Sequence, residues 1–169
     1  MIKLTTPISR EEINKLKVGD RITISGSIYT GRDAVLPKVV KLADEDRLKE
    51  AGIDLEGNVM FHTAVSPAGV GPTSSNKLDI EGSMEVLSRE GIRIHLGKGA
   101  LKKETAEMLR DNDSVYAVIP PVTALLKSKT LSQEVAAFPE EGMEALHRLE
   151  VVEFPAVIAI AGGKSIYDK

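Results

Sequence analysis

The sequence predicts an α/β fold in which helices flank a mixed, at least partly parallel sheet. Three observations support this prediction: strand-like and helix-like segments alternate along the chain, several helices have start and stop signals, and glycine-rich turns separate many segments. A length of 169 residues is typical of a single domain, here expected to span 1–169. Hydrophobic residues at 42% and charged residues at 28% are close to the averages of globular proteins.

The amino-acid composition excludes several kinds of site. The chain has no cysteine, so it offers no disulfide, no thiolate nucleophile and no cysteine ligands of its own for zinc or an iron–sulfur cluster. A net charge of −3 and 4% aromatic residues argue against nucleic-acid binding, which favours basic surfaces and stacking side chains. No apolar segment approaches the length of a membrane span, and residues 1–16 do not resemble a signal peptide, so we expect a cytoplasmic protein.

The first half of the chain is predicted to begin with a short helix. Ser9 and Glu12 form a capping box, Ile13 and Leu16 supply an apolar stripe, and Gly19 provides a stop. The other elements expected here are a strand over 21–30, a helix over 34–50 with Pro37 in its first turn, a strand over 58–64 and a loop of turns over 66–75.

The second half continues the alternation of helices and strands. Met84, Val86 and Leu87 indicate a helix that ends at Gly91. The remaining expected elements are a strand over 92–96, a tight turn at 97–99, a helix over 102–110, a strand over 114–119, a helical turn at 124–126, a strand over 134–138, a helix over 140–149 and a final strand over 157–160. In sheets of this kind, ligands bind at the loops that follow the carboxyl ends of strands.

Three such loops combine glycine or small hydroxyl residues with a cation, at 31–33, 71–77 and 97–99. Arg32 has a planar guanidinium suited to a carboxylate, whereas Lys77 and Lys98 supply point charges. Thr73, Ser74 and Ser75 add hydroxyls and backbone N–H groups at an expected helix start. Together the loops predict an anion pocket, although neither a Walker loop nor a dinucleotide-binding fingerprint occurs.

Simpler interpretations of the same residues stay open. Arg32 and Asp33 could form a surface ion pair in which Asp33 caps the next helix, and 97–99 could be an ordinary turn. His62 and His95 are expected to be core or surface residues rather than ligands, and His147 is expected on an exposed helix face. The acidic runs 44–46 and 140–141 are expected to be solvated helix ends.

Five segments in order resemble a known family: KVGDRITISGSIYTGRDAV, GPTSSNKLD, GKGAL, EEGMEALHRLEVVEFPAVIAI and KSIY. The chain resembles the beta subunit, or C-terminal domain, of class I fumarases and L-tartrate dehydratases over nearly its whole length. GPTSS and GRDA are the most specific pieces. These enzymes are iron–sulfur hydro-lyases, and the lack of cysteine agrees with a division in which another chain holds the cluster.

The resemblance implies a swivelling β/β/α domain and a partner. An alpha subunit or N-terminal domain would carry the cysteines of an oxygen-sensitive [4Fe–4S] cluster, and the site would lie between the two chains, assembled as a homo-oligomer or heterotetramer. The reaction implied is reversible addition of water to a small dicarboxylate, such as fumarate to malate or the dehydration of tartrate to oxaloacetate.

The resemblance also assigns roles to individual residues. Thr73 would transfer a proton and Asp33 would orient its neighbours, so both count as catalytic. Because a threonine hydroxyl is a weak base, Thr73 would need a nearby carboxylate, which we expect on the partner. The substrate-binding residues implied are Arg32, Ser74, Lys77 and Lys98.

Several departures from the family pattern favour an altered pocket. Leu36 stands in the region where the family usually has a histidine, and Lys77 stands where it has an arginine. A lysine keeps the charge but loses the bidentate geometry that suits a carboxylate. The segment 118–121 lacks an expected pair of glycines. An alternative function is therefore a diverged, non-catalytic subunit that binds an anion or stabilises an alpha chain, or a dehydratase of another hydroxy acid.

Overall fold

The computed structural model describes residues 1–66, 69–73, 77–119 and 123–168, with side chains described outside 66–80 and 120–124. Its strands are β1 (Ile2–Thr5), β2 (Arg21–Thr30), β3 (Val59–Phe61), β4 (Thr63–Ser66), β5 (Gly69–Thr73), β6 (Ile94–Gly97), β7 (Val115–Val118), β8 (Thr130–Ala137), β9 (Leu146–Ala161) and β10 (Lys164–Ser165). Its helices are α1 (Arg10–Asn14), α2 (Leu36–Asp44), α3 (Lys77–Arg89), α4 (Lys103–Asp111) and α5 (Thr123–Ser128), and a 3₁₀ segment spans Pro139–Glu144.

Five strands form a closed circuit of hydrogen-bonded neighbours. β2, β3, β6 and β7 pair in that order and run parallel. β9 is long enough to pair antiparallel with both β7 and β2, and so it joins the two ends of the row. β1, β8 and β10 extend this sheet, and β4 and β5 form a separate hairpin. The predicted mixed sheet with flanking helices is confirmed.

One hydrophobic cluster lies within the circuit and two lie between the sheet and the helices. The first cluster takes side chains from all five circuit strands, including Ile28, Phe61, Leu96, Ala117 and Phe154. The second joins residues of β2 and β3 to α2 and α3, and the third joins β7 and β9 to α4. Burial on both faces explains why the parallel strands read as nearly continuous apolar runs.

Several local predictions are confirmed in detail. Ser9 is the N-cap of α1, and Ser9 and Glu12 form both hydrogen bonds of the capping box. β2 has the predicted bounds, and Pro37 lies in the first turn of α2. The helix predicted over 34–50 ends earlier, at Asp44, and Asp46 then adopts a positive φ of 57°.

The helix predicted over 140–149 is wrong. The chain forms the 3₁₀ segment instead and then enters β9 at Leu146, which continues through the strand predicted at 157–160. Gly142, with φ 60° and ψ −123°, interrupts the helical path. Pairing of β9 with β2 and β8 outweighs local helix propensity, which is a weak preference. His147 is therefore buried on a strand and not on an exposed helix face.

The prediction that 66–75 consists of turns is also wrong in part. Gly69–Thr73 is a strand, β5, which pairs antiparallel with β4. Residues 67–68 and 74–76 lie outside the described part of the chain. The glycine and hydroxyl residues indicated turns and did not predict that β5 would pair with β4. Strand formation depends on the neighbouring strand as well as on local composition.

Arg93 ties the ends of two helices to β6. Its side chain is 1% exposed and donates hydrogen bonds to the backbone oxygens of Ser88, Gly91, Asn112 and Asp113, at 2.8–3.1 Å. These carbonyls lie at or beyond the C-terminal ends of α3 and α4, where helices lack internal donors.

Within the described residues, no helix is long and apolar enough to cross a membrane.

Candidate functional site

The carboxyl ends of β2, β3 and β6 meet at one edge of the sheet. In the parallel register, Thr30 lies beside Phe61 and Phe61 beside Leu96. The N–H of Gly31 donates to the oxygen of Phe61 at 3.0 Å, and the N–H of His62 donates to the oxygen of Leu96 at 3.1 Å. The residues that follow these strands, including Arg32 and Lys98, therefore lie at the same edge.

Thr73 reaches this edge through the β4–β5 hairpin. The backbone of Thr73 pairs with that of Thr63, the residue after His62. The side chains of Thr73 and Lys77, and the whole of Ser74, lie outside what the structure describes. The backbone thus brings the 31–33 and 97–99 loops and the start of the 73–77 loop to a common edge.

Arg32 binds a carboxylate of its own chain. Its Nε donates to Oε1 of Glu144 at 2.7 Å, and its Nη2 lies 2.6 Å from the same oxygen. The Arg32 and Glu144 side chains are 28% and 32% exposed, so the pair is partly screened from water. The Arg32 guanidinium is therefore already oriented to donate two hydrogen bonds to one carboxylate oxygen.

Asp33 and Lys98 are exposed at the same edge. The N-cap of α2 is Val35 and has no side-chain capping bond, so the interpretation of Asp33 as the N-cap of that helix is not supported. Lys98 directly follows β6. Both side chains have interaction partners in the structure.

A second ion-pair contact joins α2 to the 3₁₀ segment. The Lys38 ammonium lies 3.5 Å from Oε1 of Glu140 and makes a short hydrogen bond to Glu141. The hydrogen bond that Lys38 donates to Glu141 raises the pKa of Lys38. Glu140 and Glu141 are thus ion-pair partners and not simply solvated residues of a helix end. Together with Arg32–Glu144, this contact places an acidic segment over the start of α2.

Packing at the start of α2 is tight and apolar. Leu36 is 3% exposed, and a Cβ added at Gly31 would lie 2.9 Å from carbon atoms of both Leu36 and Val35. Real Cβ atoms do not approach neighbours this closely, so Gly31 lets the backbone before Arg32 pass close to the helix. Leu36, in the region where the resemblance implies a histidine, is therefore a core residue here.

His62 and His95 form a buried pair beneath the edge. Nε2 of His62 lies 3.0 Å from Nδ1 of His95, and Nε2 of His95 lies 2.9 Å from Oγ of Ser88 on α3. Burial lowers the pKa of His62 to about 4. Burial, the adjacent His62 and Arg93 lower the pKa of His95 well below 6.5. Both imidazoles are therefore neutral at pH 7.

The sequence indicated neither this histidine pair nor the role of Glu144. Both histidines lie in the core, as expected, but Nδ1 of His62 has no hydrogen-bond partner among the described residues. A sequence signal existed, since His62 follows β3 and His95 lies in the adjacent strand β6. Glu144 had no comparable signal, because it was placed on a predicted helix.

The chain's own residues do not fit an iron–sulfur cluster. There is no cysteine in the sequence, and the described residues contain no group of three or more histidine, aspartate or glutamate side chains suited to a metal ion. The edge carries a guanidinium and an ammonium, groups whose chemistry suits an anion. Fold and site together define an α/β domain with cationic side chains at the carboxyl edge of its sheet.

Comparisons with known proteins agree on one family. The family model for the fumarase C-terminus matches residues 1–169. "Putative L(+)-tartrate dehydratase subunit beta" of Methanocaldococcus jannaschii is 30% identical over 177 residues, covering 96% of this chain and 89% of that protein. The chain belongs to the fumarase C-terminus family.

Two other relatives show the range of that family. "Putative fumarate hydratase class I" of Geobacillus stearothermophilus is 31% identical over 182 residues, which cover 99% of this chain but 34% of that protein. "L(+)-tartrate dehydratase subunit beta" of Escherichia coli K12 is 27% identical over 169 residues, covering 93% of this chain and 81% of that protein. This chain thus corresponds to about one third of the longer relative and to most of the two beta subunits.

Proposed function

We propose that this chain is the beta subunit of an iron–sulfur-dependent hydro-lyase that reversibly hydrates or dehydrates a small dicarboxylate. Fumarate to malate and tartrate to oxaloacetate are the two candidate reactions. The observation that carries the proposal is the Arg32 guanidinium, which lies at the carboxyl edge of the sheet and holds a carboxylate oxygen at 2.6 and 2.7 Å. The family membership supplies the reaction class.

Substrate binding is assigned to four residues of the edge. Arg32 replaces its Glu144 contact with one carboxylate of the substrate, which has the same charge and geometry. Lys98, from the neighbouring strand end, supplies charge for the second carboxylate. Ser74 and Lys77 complete the pocket from the loop that follows β5 and from the start of α3.

Proton transfer is assigned to Thr73, and Asp33 orients the groups around Arg32. The hairpin places the backbone of Thr73 at the edge that also carries Arg32. A threonine hydroxyl is a weak base, so it needs a carboxylate to take its proton. We propose that the partner chain contributes that carboxylate.

The partner is an alpha subunit that carries the [4Fe–4S] cluster. The family resemblance implies this division, and the lack of cysteine in this chain agrees with it. We further propose that residues 1–169 act as one swivelling β/β/α domain in a homo-oligomer or heterotetramer in the cytoplasm. Closure of such a domain on its partner would bring the two halves of the site together.

A second candidate function is a diverged subunit that binds an anion, or stabilises its partner, without efficient catalysis. The buried Leu36 favours it, because an aliphatic side chain stands in the region where the family usually has a histidine. Lys77 favours it as well, since an ammonium lacks the two parallel donors of a guanidinium. A dehydratase of another hydroxy acid would account for the same two residues.

Anaerobic co-expression with a candidate alpha chain, followed by cluster reconstitution, tests the proposal. Hydration is followed by absorbance with fumarate and mesaconate, and dehydration with tartrate. Turnover that requires both chains supports the hydro-lyase function and names the substrate. A stable, cluster-bearing complex without turnover on any of these compounds supports the diverged subunit, and failure to form a complex refutes the two-subunit proposal.

A further inference from the structure

We propose that His62 is a further substrate-binding residue, whose neutral imidazole donates its Nδ1–H to an oxygen of the bound hydroxy acid or dicarboxylate. This inference rests on the proposed function and adds a contact to the same site. It is carried by a buried row of hydrogen bonds that ends in an unused donor beneath the edge.

Ser88 sets the direction of the hydrogen bonds. Its side chain is fully buried on the last turn of α3, and its hydroxyl has His95 as its hydrogen-bond partner among the described residues. If the Ser88 hydroxyl donates to Nε2 of His95, then Nδ1 of His95 carries the proton and donates to Nε2 of His62. The reverse order would leave the serine proton buried without an acceptor.

The favoured polarity leaves one proton over, on Nδ1 of His62. This atom has less than 1 Å² of exposed surface, and His62 as a whole is 1% exposed. Nδ1 has no hydrogen-bond partner among the described residues. Most buried polar atoms in folded proteins have a partner, so an orphaned one requires an explanation. An oxygen acceptor that arrives with the ligand would provide it.

The position of His62 fits such an acceptor. His62 directly follows β3, and its backbone N–H is bonded to Leu96 at the end of β6. The next residue, Thr63, pairs with Thr73. His62 thus lies at the strand ends that carry the proposed anion-binding residues.

The neutral state of His62 suits this role. A buried imidazole whose other nitrogen is held by His95, itself held by Ser88, has a fixed tautomer and a fixed ring orientation. The ring of such a donor is already oriented before the ligand binds, and it recognises an oxygen without adding charge to the site. His62 would therefore contribute to selection among dicarboxylates by the position of an oxygen.

Two amide replacements separate the two nitrogens of His62. Asparagine places its side-chain amide near the position of Nδ1, and glutamine places its amide near that of Nε2. In the cluster-loaded complex, His62→Asn keeps a donor for the ligand, and His62→Gln keeps the bond to His95. We expect KM, and the Kd of the dicarboxylate product, to rise about tenfold in His62→Gln and clearly less in His62→Asn. Equal losses in the two variants, or the opposite order, would overturn the proposal.

A second measurement does not depend on turnover or on the stability of a variant. The wild-type beta chain, labelled with ¹⁵N histidine and assembled with unlabelled alpha chain, contributes three imidazoles to the spectrum. Titration with malate and with tartrate is expected to shift the Nδ1–H signal of His62. An Nδ1–H signal that stays unchanged at saturation refutes the inference.

The two proposals fail in different ways. A wild-type complex that binds malate or tartrate at His62 but shows no turnover would contradict the proposed hydro-lyase and leave the His62 contact standing. Turnover of the wild-type complex together with an unchanged KM in His62→Gln would support the hydro-lyase and contradict the His62 contact. Absence of both turnover and ligand shifts refutes both.

Discussion

Arg32 and Glu144 are separated by 112 residues in the chain, yet Nε and Nη2 of Arg32 both contact Oε1 of Glu144, at 2.7 and 2.6 Å. The contact joins the end of β2 to the 3₁₀ segment that precedes β9. In the proposed function, a substrate carboxylate that uses the same two nitrogen donors of Arg32 would replace this oxygen. The acidic 3₁₀ segment would then compete with the substrate for the arginine.

Glu144→Gln is expected to strengthen binding of small dicarboxylates. The amide removes the competing negative charge at Arg32, so we expect the Kd of malate or tartrate to fall about threefold to tenfold. Isothermal titration of the assembled complex measures the change. Glu140→Gln is the matched control, because Glu140 contacts Lys38 and not Arg32. Weaker binding in Glu144→Gln would instead identify Glu144 as a support for Arg32.

Arg32→Ala is expected to reduce turnover by at least ~10²-fold, the usual effect of removing a positioned donor to a developing or fixed negative charge. Steady-state kinetics of the reconstituted complex provide the measurement. Arg47→Ala is a suitable control, since Arg47 pairs with Glu45 and Glu50 beyond the C-terminal end of α2. Wild-type rates in Arg32→Ala would end the assignment of Arg32 to the substrate.

Thr73→Ala is expected to lower turnover by ~10²-fold or more, with a smaller effect on KM, because it removes the proposed proton-transfer group. Thr73→Ser keeps the hydroxyl and is the matched control. Comparison of kcat and KM for the two variants separates proton transfer from binding. A loss in Thr73→Ser as large as that in Thr73→Ala would show that the methyl group, and not the hydroxyl, matters.

Arg93→Met is expected to destabilise the fold by about 3 kcal/mol or more, since it removes four hydrogen bonds that a buried guanidinium donates to backbone oxygens. Urea unfolding followed by circular dichroism gives the free energy of unfolding. Arg110→Met is the control: Arg110 is 52% exposed and pairs with the adjacent Asp111, so we expect a change within about 0.5 kcal/mol. Similar stability of the two variants would contradict the clamp role of Arg93.

The histidine pair predicts a loss of stability in mild acid. Burial lowers the pKa of His62 from 6.5 to about 4, so the unfolded chain binds more protons than the folded one between those values. Above pH 6.5, His62 is neutral in both states and the free energy of unfolding is not reduced by its titration. As the pH falls from 6.5 to about 4, the titration of His62 lowers the free energy of unfolding by about 3 kcal/mol. The lowered pKa of His95 adds a loss of the same sign.

Urea unfolding at several pH values between 7 and 4.5 measures this dependence. The variant His62→Gln does not titrate at this position and is expected to flatten the curve, while a control at the exposed Lys49, Lys49→Gln, leaves its slope unchanged. A curve for His62→Gln as steep as that of the wild type would show that other groups cause the acid sensitivity.

Local sequence signals predicted the elements that depend on neighbouring residues. The capping box of α1, the bounds of β2 and the position of Pro37 in α2 all follow from interactions within a few residues. The loops that follow β2 and β6 were also predicted, since glycine and cations are visible directly in the chain. The fold class followed from the alternation of these elements.

Long-range contacts decided the remainder. Residues 146–149 were predicted as helix, and they became a strand because β2 and β8 offered partners. The same pairing buried His147 and placed Glu144 beside Arg32. The His62–His95 pair spans 33 residues and required the parallel register of β3 and β6. By itself, the sequence determined the α/β class and the cationic loops, because these depend on local periodicity and residue chemistry. Only the tertiary structure decided which side chain each loop contacts, because such contacts join distant residues through the register of the sheet.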